Sequence, residues 1–517
     1  MEFVPRPDLA AVPDEQVLEV AFHARRRSDH QDAVERFLTV YQRDTTNPFV
    51  LIEAAQCEAS RLRYTQMQAL LDLAATLVDG DALVWQMIGD AWLAHHFPEE
   101  ALAAYAAGRK LDPGDMDLAA RTAVALERAN RVPEARALIE KLSPAQRRQP
   151  ALQPVRITLA RREGRFDKAI EWAIHLLREP GITPDVQSHV RLELARALDA
   201  AGRPEEAWSN LLASKAILAA NPESEFERQL FPRHVDFLSG IQKKISPAHI
   251  AKWRSEAAGL EPRKLAFLIG HPRSGTTLLE RILDAHTDIA AVSEYPTLEI
   301  CMSEAFRSRD SIETALFDDS APDINLATFR AHYWNKMAEI LPSPIGSRLL
   351  LDKNPGLTDG VHAILRFFSE AKLLVMLRDP RDVILSCLFQ DFGWTRLGVA
   401  CHSLPGAIAA WEATMSHWVT LRSLIPQDQW KEIRYEDFVA GPDSCIAGIT
   451  EFLECDSSTL EASEALSADR FIRTPTYSQI GKSIHSDAAG KWKRYENHFT
   501  PYRVRLTPLM EALGYEW

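Results

Sequence analysis

Two rhythms of apolar and polar positions divide this chain. In the first half, small apolar residues return at a long, fixed interval. Ala33, Met67, Ala101, Ala135 and Ala169 stand 34 residues apart, and Ala207 follows after 38. Twelve residues before these anchors lie Ala21, Ala55, Gly89, Ala123, Ile157 and Ala195; four residues after them lie Phe37, Leu71, Tyr105, Ile139, Ala173 and Leu211. Small side chains at facing positions let two antiparallel helices approach closely, and a larger group one turn later fills the groove to the next pair. One such pair cannot bury its apolar face alone, so the pairs are expected to stack. From Leu265 onward the rhythm changes to short apolar runs of strand length (KLAFLIG, DIAAVSE, SRLLLDK, AKLLVMLRD, WKEIRYED) separated by helical patterns. That alternation predicts βαβ units and a mostly parallel sheet.

The 34-residue period, and the copy carrying Trp85, Ile88, Gly89, Trp92, Ala101, Tyr105 and Pro113, resemble tetratricopeptide repeats. The resemblance implies an N-terminal all-α tetratricopeptide solenoid of about six copies over residues 12–220, the fifth degenerate because Ile157 and Ala173 break the pattern. Arrays of this kind are interaction scaffolds, so a protein or peptide partner is expected there. Residues 221–262 read as connecting helices, and residues 263–517 as a C-terminal α/β P-loop domain.

Composition changes this picture little. Of the 517 residues 46% are hydrophobic and 25% charged, a soluble globular balance too long for one core. A formal charge of −13 argues against general nucleic-acid binding or a polybasic membrane anchor. No long apolar run predicts a membrane span, and the N-terminus shows no secretory pattern, so a cytoplasmic protein with reduced thiols is expected. The six cysteines are scattered, and no metal cluster is expected.

In an open parallel sheet, ligands bind beyond the carboxyl ends of the strands. The groups following each apolar run are therefore informative. After LAFLIG comes HPRSGTT, so that residues 270–277, GHPRSGTT, have P-loop spacing with Thr276 where a nucleotidase carries lysine. Loop amides and a helix N-terminus bind an anion without lysine. Arg273, Ser274, Gly275, Thr276 and Thr277 suit a shorter phosphate anhydride. After the later runs come Ser293-Glu294, Lys353, Arg378 and Tyr435-Glu436.

Together, PRSGTTLLERILDAH, RDPRDVILSC, AAVSEYPTLE and LLLDKNP resemble the sulfotransferases that use 3′-phosphoadenosine 5′-phosphosulfate (PAPS), chiefly tyrosylprotein sulfotransferases and tetratricopeptide–sulfotransferase fusions. The resemblance implies that the loop holds the 5′-phosphosulfate, Arg378 and Ser386 the 3′-phosphate, and Lys353 and Arg273 the charge on the leaving group. It makes Glu294 the general base, with Glu299 as a rival, and a protein or peptide tyrosine the first acceptor. Carbohydrates, lipids and small phenols are the alternatives. Tyr435, Thr476, Gln479, Lys482, Lys491 and Trp492 fall at points where the family covers its nucleotide, whereas Gln390 stands where tyrosylprotein enzymes carry a basic residue. His286 is expected to be structural. No metal is implied.

Other readings of the same residues stay open. RLLLD would supply Asp352 as the magnesium-associated carboxylate of a kinase or NTPase. Arg378 with Asp379 could be a solvated helix cap, and Tyr435 a core residue. A scaffold with a retired sulfotransferase fold would keep the loop without turnover.

Overall fold

The computed structural model describes residues 7–27, 29–78, 80–306, 316–317, 325–456 and 488–517, in two compact units, 1–172 and 173–517. The first unit is built of consecutive helices, among them Asp14–Arg26, His30–Arg43, Pro48–Ser60, Tyr64–Thr76, Ala82–Ala94, Pro98–Leu111 and Met116–Arg128. Every anchor of the 34-residue pattern within this unit is buried, as are its partners twelve before and four after. The starts follow ordinary capping chemistry: Asn47, Asp81 and Asp115 each accept a hydrogen bond from the first-turn amides of the helix they precede.

The second unit opens with the end of the array. Helices Pro184–Ala200 and Pro204–Ala220 belong to the compact unit that contains the sheet. Leu192, Ala195, Trp208 and Leu211 from that pair enter the same core as Phe267 and Ile269 of the strand Leu265–Gly270. Polar bonds reinforce the packing: Lys215 Nζ donates to the Gln390 carbonyl at 2.6 Å, Arg196 Nε to that of Phe389 at 3.0 Å, and Tyr495 Oη to Asp199 at 2.7 Å.

The sheet has five parallel strands in the order β2-β3-β1-β4-β5: β1 Leu265–Gly270, β2 Ile289–Ser293, β3 Leu349–Lys353, β4 Lys372–Leu377 and β5 Trp430–Arg434. β1 and β3 are buried along their whole length, as expected of strands covered by helices on both faces. β2 and β3 lie on one side of β1 and β4 and β5 on the other, so the loop after β1 emerges where the winding reverses. All six cysteines are free, four of them buried. Among the described residues no helix is long and apolar enough to cross a membrane.

Candidate active site

The loop between β1 and the helix Thr276–Leu283 owes its shape to two glycines and one strained residue. Gly270 has φ 139°, and a Cβ there would lie 2.4 Å from the Met376 carbonyl oxygen. Gly275 has φ 106°, and a Cβ there would lie 2.6 Å from the Tyr435 ring. Arg273 adopts φ 77° without being glycine, a conformation that costs about 1–3 kcal/mol and is concentrated at ligand sites. Ser274 serves the turn itself: its hydroxyl and its N–H both donate to the His271 carbonyl, at 2.7 and 3.1 Å. Thr358 Oγ1 accepts from the Gly270 amide at 2.8 Å and anchors the start of the loop.

Against this loop the fold gathers two guanidiniums. Arg378 Nη1 donates to the Arg273 carbonyl at 3.1 Å, and Arg273 Nε donates to Ser386 Oγ at 3.0 Å. Arg378 lies over the Tyr435 ring, 4.8 Å from its centroid. Burial above all, with Arg378 adding its repulsion, brings Arg273 down to about 10. Among the described residues Arg378 Nε has no hydrogen-bond partner although it is buried. Two adjacent cations, one with an orphaned donor, beside a glycine-shaped loop are the donor set a nucleotide phosphate requires.

The ends of β2 and β3 supply a second constellation. Lys353 is fully buried, and its Nζ lies 2.7 Å from Glu294 Oε1, 3.0 Å from Glu280 Oε2 and 3.5 Å from Thr277 Oγ1. Burial disfavours the ammonium, but the two carboxylates outweigh it and hold Lys353 above the usual lysine range. Glu294 is bent into this position by a left-handed backbone, φ 54°, with its N–H donating to the Lys353 carbonyl at 2.6 Å. Its side chain keeps 30% of its surface exposed, leaving one face open. Glu280 was not singled out from the sequence; the signal was its place in GTTLLE, three residues after Thr277 on one helix face. Ser293 Oγ donates to it at 3.0 Å.

Asp352 sits elsewhere. It has no exposed surface, accepts from Tyr333 Oη at 2.7 Å, and burial pushes its carboxyl up to about 8. That placement disfavours the NTPase reading, which needs an ionised carboxylate at the phosphates. Among the described residues no group of three or more His, Cys, Asp or Glu is placed to hold a metal.

The C-terminal segment reaches the site through its backbone. Arg378 Nη2 donates to the Ala488 carbonyl, while Asp382 accepts from Gly490 N at 2.6 Å and Trp492 N at 2.8 Å. The Trp492 ring is buried and lies against Arg381, 3.6 Å from guanidinium to centroid; Lys491 is exposed. Thr476, Gln479 and Lys482 lie outside the described residues. Gln390 gives its carbonyl to Lys215, and His286 bonds the Asp456 carbonyl (2.6 Å) and the Asp288 amide (3.0 Å), a local structural role.

Comparison with known proteins bears on this geometry. A protein of Aquifex aeolicus (strain VF5) is 23% identical over 347 residues, 65% of this chain and 43% of its own length. A putative protein-tyrosine sulfotransferase of Caenorhabditis briggsae is 25% identical over 264 residues, 49% of this chain and 89% of its own. Protein-tyrosine sulfotransferase 2 of Gallus gallus is 23% identical over 267 residues, 49% of this chain and 69% of its own. The chain thus spans less than half of the Aquifex relative, and about half of it is covered by the two sulfotransferases. Residues 266–459, which contain the loop, the arginine pair and the lysine–carboxylate cluster, match the family model described as Sulfotransferase family.

Proposed function

We propose that the chain is a PAPS-dependent sulfotransferase that modifies an acceptor hydroxyl, with a protein or peptide tyrosine as the first acceptor. The observation that carries this reading is the convergence of two charge sets on one loop: Arg273 and Arg378 on one side, Lys353 with Glu294 on the other. The names of the two sulfotransferase relatives support the acceptor. The helical array, read as tetratricopeptide repeats, is the proposed docking surface for a protein or peptide partner.

The residues divide the work. The amides of the loop, Thr276, Thr277 and the Arg273 fork would hold the 5′ end of the nucleotide. Arg378, with its orphaned Nε, and Ser386 would hold the 3′-phosphate, with Tyr435 and the segment around Lys491 and Trp492 beside them. When bound, PAPS supplies the sulfuryl group: the acceptor oxygen–sulfur bond forms as the bond from sulfur to the phosphate oxygen breaks. Glu294 takes the acceptor proton through its open face. Lys353, kept charged by its two carboxylates, and Arg273 offset negative charge on the departing side.

A sulfate-transfer assay with a tyrosine peptide tests these roles. Arg273→Ala and Lys353→Ala are each expected to lower kcat by about 10² or more, the effect of removing a preorganised electrostatic group. Glu294→Gln is expected to do the same through loss of the base. Near-wild-type turnover of all three, with nucleotide binding intact, would refute the assignment.

A further inference from the structure

The two sides of the site differ in charge, and the difference extends beyond the reacting groups. On the loop side stand Arg273 and Arg378. Across from them Lys353 meets Glu280 and Glu294, one cation against two carboxylates. Five residues beyond Glu294, on the helix Thr297–Ala305, Glu299 Oε1 accepts from Asn354 Nδ2 at 3.3 Å. Asn354 directly follows Lys353, and its amide also reaches the Tyr295 carbonyl at 3.4 Å. One amide therefore ties Glu299 to the turn that carries Glu294 and to the strand end that carries Lys353.

Glu299 keeps an exposed surface, though protein atoms crowd around its carboxyl. Burial pushes its carboxyl up to about 7. The charges facing it are Arg396 and Asp359. Arg396 is already committed: its Nη1 donates to His234 Nδ1 at 2.8 Å, which leaves the His234 Nε2 proton to Asp359 Oδ2 at 2.7 Å. Glu280, Glu294, Glu299 and Asp359 stand here with Lys353 and Arg396, so on this side carboxylates outnumber these cations.

We infer that Glu299, positioned by Asn354, selects the acceptor: it favours a hydroxyl compound that carries a cation or hydrogen-bond donor near the reacting group, and disfavours one that carries a carboxylate there. The inference rests on the sulfotransferase reading and narrows it to neutral or cationic acceptors. The discrimination arises from like-charge repulsion at a partly desolvated site, which acts against the wrong partner as well as for the right one.

Two phenols of similar shape and opposite charge, tyramine and 4-hydroxyphenylacetate, provide the test. Their affinities are measured by calorimetry at pH 8 on the full chain, both free and loaded with adenosine 3′,5′-bisphosphate. Tyramine is expected to bind about tenfold more tightly, the scale of one close charge contact. Glu299→Gln should shrink that preference to about threefold or less, and Glu299→Lys should invert it. Equal or tighter binding of the carboxylate to the wild type, a tyramine preference that survives both substitutions, or no binding of either phenol overturns the inference. Failure of the bisphosphate alone to bind counts against the sulfotransferase reading instead, and the free-protein titrations still report on Glu299.

Discussion

Lys353 and Asp352 are neighbours in β3 with no exposed surface, and their surroundings drive them to different protonation states. Two carboxylates surround the lysine, so its charge is kept; the aspartate has one Tyr333 hydroxyl, so burial dominates. The consequence for stability has a definite sign. Asp352 is raised to about 8 in the folded chain, against about 4 for a free carboxylate. As pH rises, the unfolded chain releases this proton first, so stability falls between about pH 4 and pH 8 and levels off above. Asp352→Asn keeps an acceptor for Tyr333 and removes the penalty. The variant should be more stable at pH 7.5, by about 1 kcal/mol or more, and its melting temperature should change less from pH 5 to pH 8. A lower melting temperature for the variant at pH 7.5 contradicts this account. Lys353 and Glu294 were legible from the sequence because each follows an apolar run. Glu280 was not: a glutamate inside a helix is ordinary, and its partner comes from a strand more than seventy residues away.

Elements were read best where a packing rule leaves few choices. The helical array is the clearest case, since the small residues fall where helices meet. Gly89 shows how strict this is. A Cβ there would lie 2.3 Å from Tyr105 Cε1, and the ring is held at its other end by Tyr105 Oη donating to Asp90 at 2.7 Å. Asp90 in turn pairs with Arg121 at 2.7 Å. Alanine would improve helix propensity by about 1 kcal/mol, but the clash in a fixed core costs about 1–3 kcal/mol or more and wins. Gly89→Ala should therefore destabilise the helical unit in urea unfolding, and unchanged stability would show that the ring yields. In the α/β part the strands were legible because β1 and β3 are apolar along their length. The left-handed conformations of Arg273 and Glu294 were not, because nothing in a local pattern announces a positive φ at a residue with a side chain.

At the scale of the whole molecule the sequence separates two textures, and the structure forms two compact units. Residues 184–220 keep the repeat pattern and yet share a core with the sheet. The reason is local: Trp208 lies against His498, with ring centroids 4.3 Å apart, and Lys215 and Arg196 reach carbonyls just past the helix that carries Ser386. Periodicity reports how a helix pair is built, not which neighbour covers its outer face. The overall charge of −13 likewise conceals the cationic corner formed by Arg273 and Arg378. That corner is the feature on which the functional account depends, and calorimetry on the full chain tests it directly. Adenosine 3′,5′-bisphosphate should bind at least about tenfold more tightly than ADP, and Arg378→Ala should abolish the difference, the loss expected for one charge-assisted phosphate contact. Equal affinity for the two nucleotides, or a preference for magnesium-bound ATP, would contradict the account.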